Sequence, residues 1–184
     1  MPLRERDLAG PVAGHFTSLG YRVFAEVGIA GRYADLLAYR PKEIVAIELK
    51  LEDWKGALRQ GMAYQLGADR AFVAMPLARV QDVWRRRDAF EREGIGLLAI
   101  DPLGRVRRVL PAEFQNRQFP PMRDRLQGLL QEAVNMLTVP LGPPTLTVPP
   151  EDVEVELVDH EGAEAHKDPH VLEPAAQLVG VLSW

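Results

Sequence analysis

Residues 32–50, Arg-Tyr-Ala-Asp-Leu-Leu-Ala-Tyr-Arg-Pro-Lys-Glu-Ile-Val-Ala-Ile-Glu-Leu-Lys, read as two strands joined by a tight turn at Arg40-Pro41-Lys42. The second run, Ile44 to Lys50, is apolar and β-branched and ends acid, apolar, base. Side chains on a strand alternate faces, so Glu48 and Lys50 point one way while Ile47 and Leu49 point the other. A carboxylate and an ammonium left unpaired at the end of a buried strand would cost several kcal/mol. The two need either each other or a chemical task. Asp35 supplies a candidate for that task, because antiparallel neighbours joined by so short a turn bring it beside Glu48. Two carboxylates that close repel unless a cation or a proton lies between them, and hard oxygen ligands favour Mg²⁺ or Mn²⁺.

The flanking segments supply further polar groups. Downstream, Asp53 is a plausible N-cap for a helix from Trp54 to Leu66 that ends at Gly67. Gln60 and Tyr64, four residues apart, share one face of that helix. Arg70 to Pro76 is short and apolar, as a buried parallel strand would be. Upstream, Leu3 to Leu19 reads as a helix interrupted near Gly10-Pro11, with Leu8, Val12 and Phe16 as its buried stripe. Glu5 and Asp7 lie in its first turns, where acids complement the helix dipole. Tyr21 to Val27 is the first strand and Gly28-Ile29-Ala30-Gly31 a hairpin turn. Glu26 precedes that turn and either faces Asp35 across the hairpin, within reach of a shared metal, or pairs with Arg32.

In this order the residues resemble the PD-(D/E)xK nuclease superfamily: Asp35, then Glu48-Leu49-Lys50 on the next strand, then Gln60 and Tyr64 on the following helix. The Gln-x-x-x-Tyr spacing is similar to the RecB-type branch, and the Asp-to-Glu spacing to archaeal Holliday-junction resolvases. The resemblance covers roughly residues 3 to 76, with Ala34 where the name-giving proline would stand. It implies a restriction-endonuclease-like α/β core, α-β-β-β-α-β: a helix, a three-strand antiparallel meander, a helix, and a strand parallel to an inner one. It further implies that Asp35, Glu48 and the Leu49 carbonyl bind Mg²⁺ or Mn²⁺, with Glu26 or Glu5 as an extra acid. Lys50 would orient or activate water, and Gln60 and Tyr64 would support the site. The implied activity is hydrolysis of phosphodiester bonds in DNA, in repair, recombination or defence. The fold is reused by proteins that do not cut, so an inactive DNA-binding or protein-interaction module is the alternative.

Beyond this core, Leu77 to Glu93 reads as one helix with Val80, Val83, Trp84 and Phe90 inward. Its Arg85-Arg86-Arg87 run is either a DNA contact or a solvated face. Leu97 to Asp101 and Val106 to Leu110 flank Pro102-Leu103-Gly104 as strand, turn, strand. Met122 to Leu137 is an amphipathic helix whose apolar face either caps the core or makes a homodimer interface.

Charge divides the chain. Residues 1–125 hold 21 Lys and Arg against 16 Asp and Glu, and residues 126–184 hold 1 against 10. The expected organisation is a nuclease-like domain over residues 1–137, a linker at 138–150 marked by five prolines, and an acidic tail at 151–184. Within the tail, Asp152 to Leu157 alternates acid with apolar as an edge strand would, and Leu178 to Trp184 is apolar enough to dock. His160, His166 and His170 are too loosely spaced to read as a metal site. No cysteine occurs, which excludes disulfides and thiolate metal sites. Neither a secretory signal nor a bilayer-spanning run is legible, so the expected location is cytoplasmic, without membrane contact.

Overall fold

A computed structural model of the protein describes residues 3–138. The expected acidic tail and all but the first residue of the expected linker lie outside the described residues. Six strands form one mixed sheet, and each strand neighbours the next in sequence. They are β1 (Arg22–Ile29), β2 (Arg32–Arg40), β3 (Glu43–Leu49), β4 (Arg70–Pro76), β5 (Gly96–Ile100) and β6 (Val106–Leu110). The first three make an antiparallel meander, β3, β4 and β5 run parallel, and β6 turns back antiparallel. The class is α/β with helices on both sheet faces.

Alternation along the strands builds two apolar layers. Leu36, Ala38, Val45 and Ile47 face α1 (Ala9–Ser18), whose Val12 and Phe16 join them, with Leu8 just before the helix. Leu37, Tyr39, Ile44 and Ala46 face the other way. On that side lie α2 (Trp54–Tyr64), α3 (Leu77–Val83), α4 (Arg87–Glu93) and α5 (Pro120–Thr138). The expected N-cap is in place, with the Asp53 carboxylate accepting the Gly56 N–H at 2.9 Å.

Four expectations are corrected. The first helix is continuous through Gly10-Pro11, because proline is tolerated in a first turn where its missing N–H has no helical partner. The irregularity lies upstream, as a 3-10 turn at Glu5–Leu8. The first hairpin is tighter than expected: Gly28 and Ile29 belong to β1, and only Ala30 and Gly31, with φ of 53° and 74°, make the turn. The segment after β4 is not one helix, since a 3-10 turn at Trp84–Arg86 separates α3 from α4. That turn re-phases the face, so Val80, Val83 and Phe90 are buried while Trp84, expected inward, is 42% exposed. Part of the apolar face of α5 caps the core: Leu126 and Leu130 are buried against β1 and β2, with Met122, Ala133 and Val134 beside them.

One buried ion pair fastens α5. Asp69, 2% exposed at the entrance to β4, accepts the Ile44 N–H at 2.6 Å and the Gln118 amide at 2.8 Å. Arg123 of α5 completes it with bonds of 3.1 and 2.9 Å. Every lone pair that burial takes from water is thereby returned by a donor.

Candidate active site

The carboxylate pair forms where the β2–β3 ladder opens. Backbone pairing ends at Leu36↔Ile47. One step further out, Asp35 lies alongside Glu48, and its carboxylate, in place of a backbone carbonyl, accepts the Leu49 N–H at 2.7 Å. The Lys50 N–H continues onto β4 through the Ala74 carbonyl at 3.0 Å, which fixes the direction of the lysine at the strand end. Its ammonium lies 3.2 Å from Glu48 Oε1 and 3.6 Å from Glu5 Oε2. Glu5 also accepts the Leu51 N–H at 3.3 Å, so the 3-10 turn before α1 is tied to the end of β3.

Tyr64 of α2 closes the cluster from the other face. Its hydroxyl oxygen is 2.7 Å from Glu48 Oε2 and 2.7 Å from the Tyr33 carbonyl. A hydroxyl has one proton to donate, so both contacts are hydrogen bonds only when Glu48 itself carries a proton. The Gln60 amide meets the same hydroxyl. Gln60 and Tyr64 thus share one face of α2, as their one-turn spacing predicts.

The electrostatics follow from burial. Glu48 is 1% exposed, and burial first, then the neighbouring Asp35 charge, raises its pKa against the pull of Tyr64 and Lys50. Burial likewise raises Asp35, helped by Glu5 and Glu26 and opposed by the Leu49 N–H and Lys50. Burial works the other way on Lys50 and favours its neutral form, but Glu48, Glu5 and Asp35 outweigh it and hold the pKa above the ordinary lysine value.

Glu26 is exposed and has φ of 54°, in the left-handed region. The ladder runs Ala25↔Leu36 and Val27↔Ala34 around it, and the strand changes face there, so Phe24 and Val27 enter the same layer. A non-glycine residue held there costs on the order of 1 kcal/mol, and such strain gathers at functional sites. Among the described residues Glu26 makes no ion pair with Arg32, and no group of three or more His, Cys, Asp or Glu side chains is arranged to hold a metal. Two carboxylates, Asp35 and Glu48, are the close acidic donors. That number suits Mg²⁺, which keeps several waters and takes one or two protein carboxylates.

Among the described residues, Arg85 and Arg86, on the exposed turn between α3 and α4, and Arg87, the first residue of α4, make no hydrogen bond to this cluster. Arg87 lies 5.1 Å from the Trp84 ring centre, and Arg86 lines a shallow pocket with Trp54, Lys55 and Asp82. Arg86 therefore borders the start of α2, four residues after Lys50. The Tyr33 carbonyl was missed from sequence, since a backbone acceptor leaves no residue-type signal. The chain matches no family model, no curated protein and no solved structure.

Proposed function

We propose that the protein is a Mg²⁺- or Mn²⁺-dependent nuclease hydrolysing phosphodiester bonds in DNA, on a restriction-endonuclease-like core. The observation that carries this reading is the neighbouring pair Asp35 and Glu48 at the end of β3, with the Lys50 ammonium 3.2 Å from Glu48. Asp35, Glu48 and the Leu49 carbonyl would hold the cation, which when bound supplies charge to polarise a phosphate and acidify a water. Lys50, at the end of β3, would orient or activate the attacking water and offset charge developing on the phosphorane. Tyr64, steadied by Gln60, fixes the rotamer of Glu48 so that one carboxylate oxygen keeps its orientation.

A second reading, a nuclease-like module that binds DNA without cutting, draws on one observation. Both Glu48 oxygens are already engaged, by Lys50 and by Tyr64. The test is a cleavage assay with Mg²⁺ and Mn²⁺ on linear, nicked, single-stranded, flapped and four-way DNA. Metal-dependent products that disappear in Asp35→Asn and Glu48→Gln, by roughly a hundredfold or more, are expected. Cleavage surviving in Glu48→Gln sinks the site. Salt-sensitive binding without products favours the second reading.

A further inference from the structure

The other end of the sheet holds a second concentration of charge. Glu43, at the start of β3, is five residues and roughly 17 Å of strand away from Glu48. Its side chain goes to the α1 face, opposite Tyr64. One Glu43 oxygen accepts the Tyr21 hydroxyl at 2.8 Å and the Arg40 guanidinium, its Nε at 2.8 Å. The other accepts Arg70 Nε at 3.0 Å. Burial first, then the bond to Glu43, pushes the Tyr21 pKa up to about 12, so the phenol stays a neutral donor committed to Glu43.

Around this hub opens a pocket of about 520 Å³, within the range of small-molecule sites. Four basic side chains line it: His15, Arg40, Arg70 and Arg108. Its single carboxylate, Glu43, is spent on Tyr21, Arg40 and Arg70. Arg108, exposed on β6, has no carboxylate partner among the described residues. The floor is apolar and contains Phe16, Phe72 and Leu98, all buried. The Arg70 guanidinium also lies 5.6 Å from the ring centre of Phe114, which is 59% exposed. Burial first, then the Arg108 charge, hold His15 below its ordinary pKa.

We propose that this pocket binds a phosphate monoester bearing a flat apolar group, a ligand of mononucleotide size. Arg108, left over by Glu43, supplies a planar guanidinium that matches a phosphate in charge and geometry, beside the excess positive charge of Arg40 and Arg70 over one carboxylate. The Phe16, Phe72 and Leu98 floor takes the flat part. An inorganic anion would leave that apolar floor unused, and an uncharged aromatic would leave Arg108 unanswered. The site stands on its own geometry and does not depend on cleavage at Glu48.

The test is a calorimetric titration of the full chain, in EDTA, with adenosine 5′-monophosphate, with inorganic phosphate and with adenosine. The monophosphate should bind roughly tenfold or more tightly than either part. Arg108→Ala should weaken it by about tenfold and Arg108→Glu further, while Asp35→Asn leaves it unchanged. Among the described residues Arg108 is exposed and without an ion-pair partner, so thermal melts of its variants should match the wild type and serve as the folding control. Absence of binding at millimolar monophosphate, or equal binding by wild type and Arg108→Ala, overturns the site. Equal affinity for phosphate and for its ester overturns the ligand class. Loss in Asp35→Asn alone moves the ligand to the other end of the sheet and also overturns it.

Discussion

Glu48 and Lys50 both lose stability as pH rises, each in its own window. A carboxyl whose folded pKa lies above its unfolded value binds more protons in the native state, so stability falls as pH rises through that window and stays low above it. Glu48 and Asp35 are both of this kind. Lys50, also raised, adds stability below its unfolded pKa and loses it as pH climbs through the folded one. Without divalent metal, Glu48→Gln should therefore stabilise the protein at neutral pH by on the order of 1 kcal/mol, and the gain should vanish below the carboxylate range. Lys50→Ala should do the reverse, since it strips a partner from a carboxylate that is 1% exposed. Melting curves from acid to neutral pH decide; a pH-independent gain in Glu48→Gln would mean burial does not tax that charge. The side chains of this cluster were legible because strand alternation and helical spacing translate directly into shared faces. The Tyr33 carbonyl and the exposed, left-handed Glu26 were not, because neither a backbone acceptor nor a φ value is written in residue type.

Among the elements, the β2–β3 hairpin carries an avoidable cost. Pro41 pre-sets the first turn position, and Lys42 follows with φ of 74°, a conformation that favours glycine. Lys42→Gly should raise stability by roughly 0.5–1 kcal/mol, net of the added chain entropy, whereas Lys42→Val should lower it by at least that much. Urea midpoints of the two variants check this, and equal midpoints would show that the turn relaxes. The strands themselves were readable as apolar runs punctuated by Gly, Pro and charge, down to Arg70–Pro76 and Val106–Leu110 as drawn from sequence. What failed was the long helix after β4. Its residues carry no Gly or Pro break, and the 3-10 turn at Trp84–Arg86 is imposed by tertiary packing that buries both Val83 and Phe90. Periodicity cannot see such a re-phasing, and it placed Trp84 on the wrong side.

For the molecule as a whole, charge is unevenly shared: residues 1–125 carry a net of +5 and residues 126–184 a net of −9. If the protein binds DNA as proposed, tethered acids would compete with DNA phosphates for a basic surface at an effective concentration that can approach about millimolar. A chain ending at Leu137 should bind DNA more tightly than the full protein, most of all at low salt, where attraction between exposed charges is least screened. Binding isotherms that coincide at every salt concentration would remove the acidic segment from competition. The ion pair under α5 has a consequence of a different kind, one of timing. All six strands join the sheet in the order in which they are synthesised, so each finds its neighbour already in place. Asp69 does not: the guanidinium that answers its buried charge belongs to Arg123, fifty-four positions later. A nascent chain can thus zip its strands as they leave the ribosome while the β3–β4 entrance still awaits its counter-ion. A chain ended before Arg123 would leave that buried carboxylate without its guanidinium, so the entrance between β3 and β4 is locked from its carboxyl-terminal side.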